Sequence, residues 1–215
     1  LYEIGVDGGG LRQLTFGAGV TDIDPAYLPP RAGSSPPGGS PVLGSALRDS
    51  PLPDSPFPDI VFSSTREPKY CHCNRHIMAN LFRMGPDGGG MRQIGRNTLF
   101  EGHPELLHDG RILYDRWEYV DRHFGPSFGL WTALPDGTSH ALWFHNNAWT
   151  PGAILDARPI PGTDRVVATF GSCHDRPWGA IAIIDRDLGL EGSRPVTWMW
   201  PPEARGLLTD HRAYG

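Results

Sequence analysis

One phrase of this chain, Leu81-Phe82-Arg83-Met84-Gly85-Pro86-Asp87-Gly88-Gly89-Gly90-Met91-Arg92-Gln93-Ile94, is heard already at its start, where Leu1 to Leu14 matches it without a gap. A looser copy begins at Leu130 and runs to Gly137, and in all three an apolar residue stands seven positions after the Asp, at Leu14, Ile94 and Trp143. Each copy reads as a β-hairpin turning at Asp7-Gly8, Asp87-Gly88 or Asp136-Gly137. Glycine takes positive φ in such turns without a Cβ clash, while the aspartate tolerates the turn and bonds its own backbone.

A second phrase interleaves with the first. Pro104 to Tyr114 has a counterpart in Arg158 to Ala168 and a truncated copy in Asp59 to Phe62. Ile60 and Ile112 lie 52 positions apart, as do Gly110 and Gly162, and Leu81 and Leu130 lie 49 apart. Two independent phrases thus share one period of about 50 residues, built of short strands and turn glycines, which is the pattern of propeller blades. No segment sustains a capped 3.6-residue apolar period, so the class is all-β. The expectation is a β-propeller with about four blades present, an open piece of a larger propeller of about six to eight blades.

The remaining composition divides the chain. Residues 1–17 read as the outer hairpin of an incomplete blade, 18–58 as an insertion, 59–202 as blades and 203–215 as a tail. From Asp24 to Pro58 there are ten Pro, four Gly and six Ser in 35 residues, too little apolar surface to offset the entropy of ordering them. That stretch is expected to pack little and to be the first cut by proteases. Val166 to Phe170 and Ile181 to Ile184 are continuous apolar runs, as expected of strands covered on both faces. A formal charge of −5 with no basic run argues against a nucleic-acid surface, and no apolar stretch is long enough to span a bilayer.

Few residues suggest chemistry. The glycines after Asp87 recur after Asp7 at a turn, so they are not a phosphate loop. No Gly-x-Ser-x-Gly is present, and Ser172-Cys173-His174-Asp175 is a sequence neighbourhood rather than a triad. Asp115, Arg116 and Glu118, beside Trp117 and Tyr119, are read as inter-blade ion pairs or a solvated edge, with a catalytic carboxylate pair as the alternative. Cys71, His72, Cys73, His76, Cys173 and His174 form the one constellation above background. Thiolates and imidazoles suit zinc, though the spacing matches no recognised finger, and the alternative is that the cysteines are small buried hydrophobes. Cys71 and Cys173 follow equivalent strands, so these residues, joined by His123, are expected on one face.

The pairing of a Pro-x-x-x-x-Asp-Gly-Arg-Ile strand with a Leu-Phe-Arg-Met-x-x-Asp-Gly hairpin resembles TolB-type β-propeller repeats. The order Cys71-His72-Cys73, Asn80 to Met84, Asp109 to Tyr114 and Arg116 to Arg122 looks more closely like the propeller middle domain of the hydrazine synthase alpha subunit family, over roughly Asp59 to Asp185. The resemblance implies a secreted or periplasmic bacterial protein whose propeller is a non-catalytic scaffold or binding platform, meeting a protein or small-molecule ligand on one face. The alternative it implies is the scaffold section of a multi-haem oxidoreductase, with a Cys/His contact to metal or haem. Covalent haem c attachment needs Cys-x-x-Cys-His, which this chain lacks, so haem c would be held by domains outside this segment.

Overall fold

The computed structural model describes residues 1–29, 58–71, 75–119, 127–148, 151–171 and 179–208. They form fourteen strands in four antiparallel sheets. A two-stranded sheet pairs β1 (Tyr2–Glu3) with β2 (Arg12–Gln13). The first four-stranded sheet runs β3 (Asp22–Tyr27), β4 (Ile60–Ser64), β5 (Asn80–Met84) and β6 (Arg92–Gln93). The second runs β7 (Glu101–Leu106), β8 (Ile112–Trp117), β9 (Phe128–Ala133) and β10 (Ala141–Phe144). The third runs β11 (Ala153–Pro159), β12 (Arg165–Gly171), β13 (Ala180–Asp185) and β14 (Val196–Trp200). Within each sheet every strand pairs with its sequence neighbours, which is the up-and-down order of propeller blades. The expected four units are three full sheets and one two-stranded hairpin.

The Asp-Gly turns form where the repeat puts them. The N–H groups of Gly8, Gly88 and Gly137 donate to Gly5, Gly85 and Leu134 at 2.8, 2.9 and 2.9 Å, and these glycines have φ of 81°, 84° and 88°. The aspartate does not take the left-handed conformation. Its carboxylate instead accepts the N–H two residues on, from Gly9, Gly89 and Thr138 at 2.9, 2.9 and 2.8 Å.

Period-2 alternation separates the cores. Ile60 and Phe62 of β4 face the hairpin of β1 and β2, with Leu14, Phe82 and Met84, while Val61 faces the second sheet with Leu81, Ile94, Ile112 and Tyr114. Leu113, pointing the other way from β8, joins Ile154, Val166, Ala168 and Phe170 of the third sheet. β4 and β8 are thus buried along nearly their whole length because sheets cover both their faces. The third sheet departs from that expectation. Among the described residues its far face is uncovered, leaving Ile181, Trp198 and Trp200 at 45%, 46% and 58% exposure.

A second departure lies in the segment read as insertion. Asp22–Tyr27 is an edge strand of the first sheet, paired to β4. Pro25 is tolerated because the ladder skips there, its register shifting between Ile23 and Ala26. Residues 30–57, which carry the rest of the Pro-rich stretch, lie outside the described residues. After β14 a 3₁₀ segment, Pro202–Leu208, packs back on the third sheet, Arg205 donating to the Val196 carbonyl at 2.8 Å.

Candidate functional site

The three four-stranded sheets meet along β3, β7 and β11, the first strand of each. All three carry the same irregularity. The register shifts between Ile23 and Ala26, between Gly102 and Glu105, and between Leu155 and Arg158. At the head of each bulge stands a residue with positive φ, Asp24 at 53°, His103 at 46° and Asp156 at 51°. None is glycine. Asp and His tolerate this conformation better than most residues, yet it still costs about 1 kcal/mol or more at each position. Three such residues at equivalent places, with His103 reaching toward Asp24 and the Asp156 N–H turned to the carboxylate that holds His103, mark this line as the candidate site.

His103 is its centre. Nδ1 lies 2.5 Å from Oδ2 of Asp115, a fully buried carboxylate on the neighbouring β8, and Nε2 lies 3.8 Å from Oδ2 of Asp24 on β3. The other Asp115 oxygen accepts the Asp156 N–H at 3.1 Å, so one carboxylate holds both the histidine and the bulge of the next sheet. Asp156 accepts from Arg158 Nε at 2.9 Å and Nη2 at 2.7 Å, and Arg158 also pairs with Glu105. The Asp24 Oδ2 atom is buried with no hydrogen-bond partner among the described residues.

The electrostatics follow from this geometry. Burial pushes Asp115 up to about 6, opposed by its bond to His103. Burial opposes the charged form of His103, but the carboxylates of Asp115, Asp24 and Asp156 outweigh it and raise its pKa above the ordinary value. A buried carboxylate on Nδ1 fixes ring and tautomer, leaving Nε2 to accept or donate, which is the arrangement used both by oriented bases and by proton-sensing histidines.

A second polar cluster lies between the first and second sheets. Glu101 is fully buried, accepts from Asn80 at 2.8 Å, and stands 3.6 Å from Arg116. Arg116 pairs with Glu118 at 2.9 Å and stacks over Trp131 at 4.5 Å from the ring centroid. Burial raises the Glu101 pKa. The charges noted on β8 are therefore ion-paired, and Asp115 and Glu101 are buried rather than solvated.

Of the Cys/His set, Cys71 and His76 are described. Cys71 is buried against Leu99 and Trp117, and its N–H donates to the His76 carbonyl at 2.9 Å. A thioether to haem needs a thiol that a porphyrin edge can reach, so this enclosed position does not fit covalent attachment. His76 is exposed. His72, Cys73, His123, Cys173 and His174 lie outside the described residues. Among the described residues no group of three or more His, Cys, Asp or Glu side chains is placed to hold a metal ion.

Asp24, His103 and Asp156 were not singled out from the sequence. A signal was there: Asp24-Pro25 and His103-Pro104 both put a proline directly after the bulge residue.

Comparison with known proteins adds a fold relation. No family model matches the chain, and no curated protein matches it. Among solved structures, the chain is similar to Kuenenia stuttgartiensis hydrazine synthase, with a TM-score of 0.65 and 20% identity over 88% of this chain. It spans 28% of the length of that chain. At this identity the likeness is one of fold, that of antiparallel sheets arranged like propeller blades.

Proposed function

We propose that this chain is a non-catalytic β-propeller scaffold and binding platform of a secreted or periplasmic bacterial protein, which meets a protein or small-molecule ligand on the face where β3, β7 and β11 converge. One observation carries the reading: three sheets each spend a strained, non-glycine bulge to bring Asp24, His103 and Asp156 together on a rigid frame. Backbone strain held at equivalent positions by packed sheets is characteristic of ligand clamps and functional sites. The polar line is flanked by well-packed cores, so its side chains are presented without loop motion.

The test is a fragment screen by NMR on labelled protein. Fragments that shift the amides of Asp24, His103 and Asp156, and lose that effect in Asp24→Asn, are the expected result. Fragments that bind only elsewhere on the chain would overturn the choice of face.

The fold likeness to a hydrazine synthase chain favours a second reading, the scaffold section of a multi-haem oxidoreductase with haem carried by other domains. A pyridine haemochrome assay on the full-length protein from its native host separates the two. The platform reading expects no covalent haem, and a stoichiometric haem c signal selects the oxidoreductase. The proposed zinc contact through Cys71, His72, Cys73, His76, Cys173 and His174 is tested by metal analysis of tag-free protein, where less than stoichiometric metal rejects it.

A further inference from the structure

His103 links its own inner strand to those of two other sheets. It reaches Asp24 on β3 directly, and through Asp115 it reaches the Asp156 N–H on β11. In its neutral form, with Nδ1–H donating to Asp115, the Nε2 lone pair faces the Asp24 Oδ2 oxygen at 3.8 Å. Two acceptors then oppose each other across the junction of the first and second sheets. Adding one proton to Nε2 turns that contact from repulsive to attractive without moving a heavy atom.

We propose that His103 is a proton-operated latch between sheets: protonated, it joins β3, β7 and β11 through Asp24 and Asp115, and neutral, it keeps Asp115 and releases Asp24. The proton comes from solvent to Nε2, which belongs to a ring that is 27% exposed, while Asp115 is fully enclosed. The latch uses residues of the proposed binding face, and it is tested without ligand, so the two readings can fail separately.

The surrounding groups all favour the proton. From β8 the facing group is Asp115, from β3 Asp24, and from β11 Asp156, with Arg158 beside it but committed to Asp156 and Glu105. On its own strand Glu105 is held by Arg158, and Glu101 lies with Asn80 and Arg116. β4 contributes no ionisable side chain, and Arg83 of β5 is paired with Asp59 at 2.6 Å. The Phe100 ring packs at 5.7 Å from the imidazole and is neutral to the exchange.

The sign of the pH dependence follows. His103 has a folded pKa above its unfolded value of about 6.5, so its contribution is fully present below about pH 6.5 and is lost as pH rises through the folded pKa. Asp115 is raised as well, so the folded state is favoured by its protonated form, and that contribution is lost between about pH 4 and about 6. Buried Glu101 is raised too, so the part of the slope above about pH 6 that belongs to the histidine is the part lost with its imidazole.

The experiment is urea unfolding of the chain from about pH 8.5 to about pH 6, on wild type, His103→Gln and Asp24→Asn. The midpoint of the wild type is expected to rise on acidification, His103→Gln to lose most of that slope, and Asp24→Asn to lose part of it. An unchanged slope in His103→Gln would overturn the latch. Should His103→Gln not fold, the imidazole is titrated by NMR in wild type and in Asp24→Asn. A wild-type pKa above about 6.5 that falls in Asp24→Asn supports the latch, and a value at or below it, or one that Asp24→Asn leaves unmoved, rejects it.

Discussion

The outer hairpins and the inner strands of this protein face one backbone problem and resolve it in opposite ways. Both need a residue with positive φ in every repeat. At the rim the residue is glycine in each Asp-Gly turn, Gly8, Gly88 and Gly137, where no side chain is strained. Along the inner line it is Asp24, His103 or Asp156, and strain is kept together with a charged or ionisable side chain. Glycine at these bulges would be the easier choice for the backbone. Its absence from all three argues that the side chains are what the inner line is for, and that the rim is only for folding.

Mutations can break or sharpen this contrast. The largest effect is expected at the inner line, where Asp115→Ala strands the Asp156 N–H and removes the partner of His103. A loss of about 3 kcal/mol is expected from chemical denaturation. A loss under about 1 kcal/mol would mean that the buried carboxylate does not hold the bulges.

Next comes the rim, at Gly88→Ala. An added Cβ would run into the Leu14 carbonyl while the residue stays left-handed, for about 2–3 kcal/mol in the same assay. Gly8→Ala has nearly the same φ but nothing within 4 Å of the new methyl group, so it isolates the backbone part, about 1 kcal/mol. Equal losses at Gly8 and Gly88 would show that the close approach between sheets carries no weight. The smallest effect is expected from Asp156→Gly, which relieves strain and gives up an exposed pair with Arg158, for a net change within about 0.5 kcal/mol. A large loss there would mean that the Asp156 side chain itself, and not only the Asp115 carboxylate behind it, holds the fold.

The two regions also differ in how far the sequence reveals them. Rim turns are local: Asp-Gly at a fixed distance from Leu14, Ile94 or Trp143 is enough to place them, and the shared 52-residue offset is enough to mark the repeat of sheets. The inner line is not local. β3 was hidden because Pro25 and the Pro-rich residues after it read as an excursion, although the proline sits where the ladder needs no N–H. Asp115 was visible as a charge among aromatics, but its partner His103 lies on the neighbouring strand and its second partner in another sheet. Such a junction depends on how sheets stack, and no window of one strand contains that. The covered face assigned to Ile181 to Ile184 failed for the same reason, since an apolar run does not say whether a neighbour is present.

At the rim, Gly88 rests on the carbonyl of Leu14 and Gly137 lies 2.8 Å, measured from its missing Cβ, from the carbonyl of Ile94. Leu14 and Ile94 are equivalent residues of successive hairpins, so the same head-to-tail contact is made at each step. With the inner strands pinned to each other, the spacing at the outer edge sets the wedge angle between one sheet and the next. A head-to-tail step either returns to its origin or winds on as a filament, according to that angle alone. Two bare α-carbons thus act as the gauge of curvature, and a single methyl group at either would widen the wedge from its outer edge and tighten the arc, to be read as a smaller radius of gyration in solution scattering.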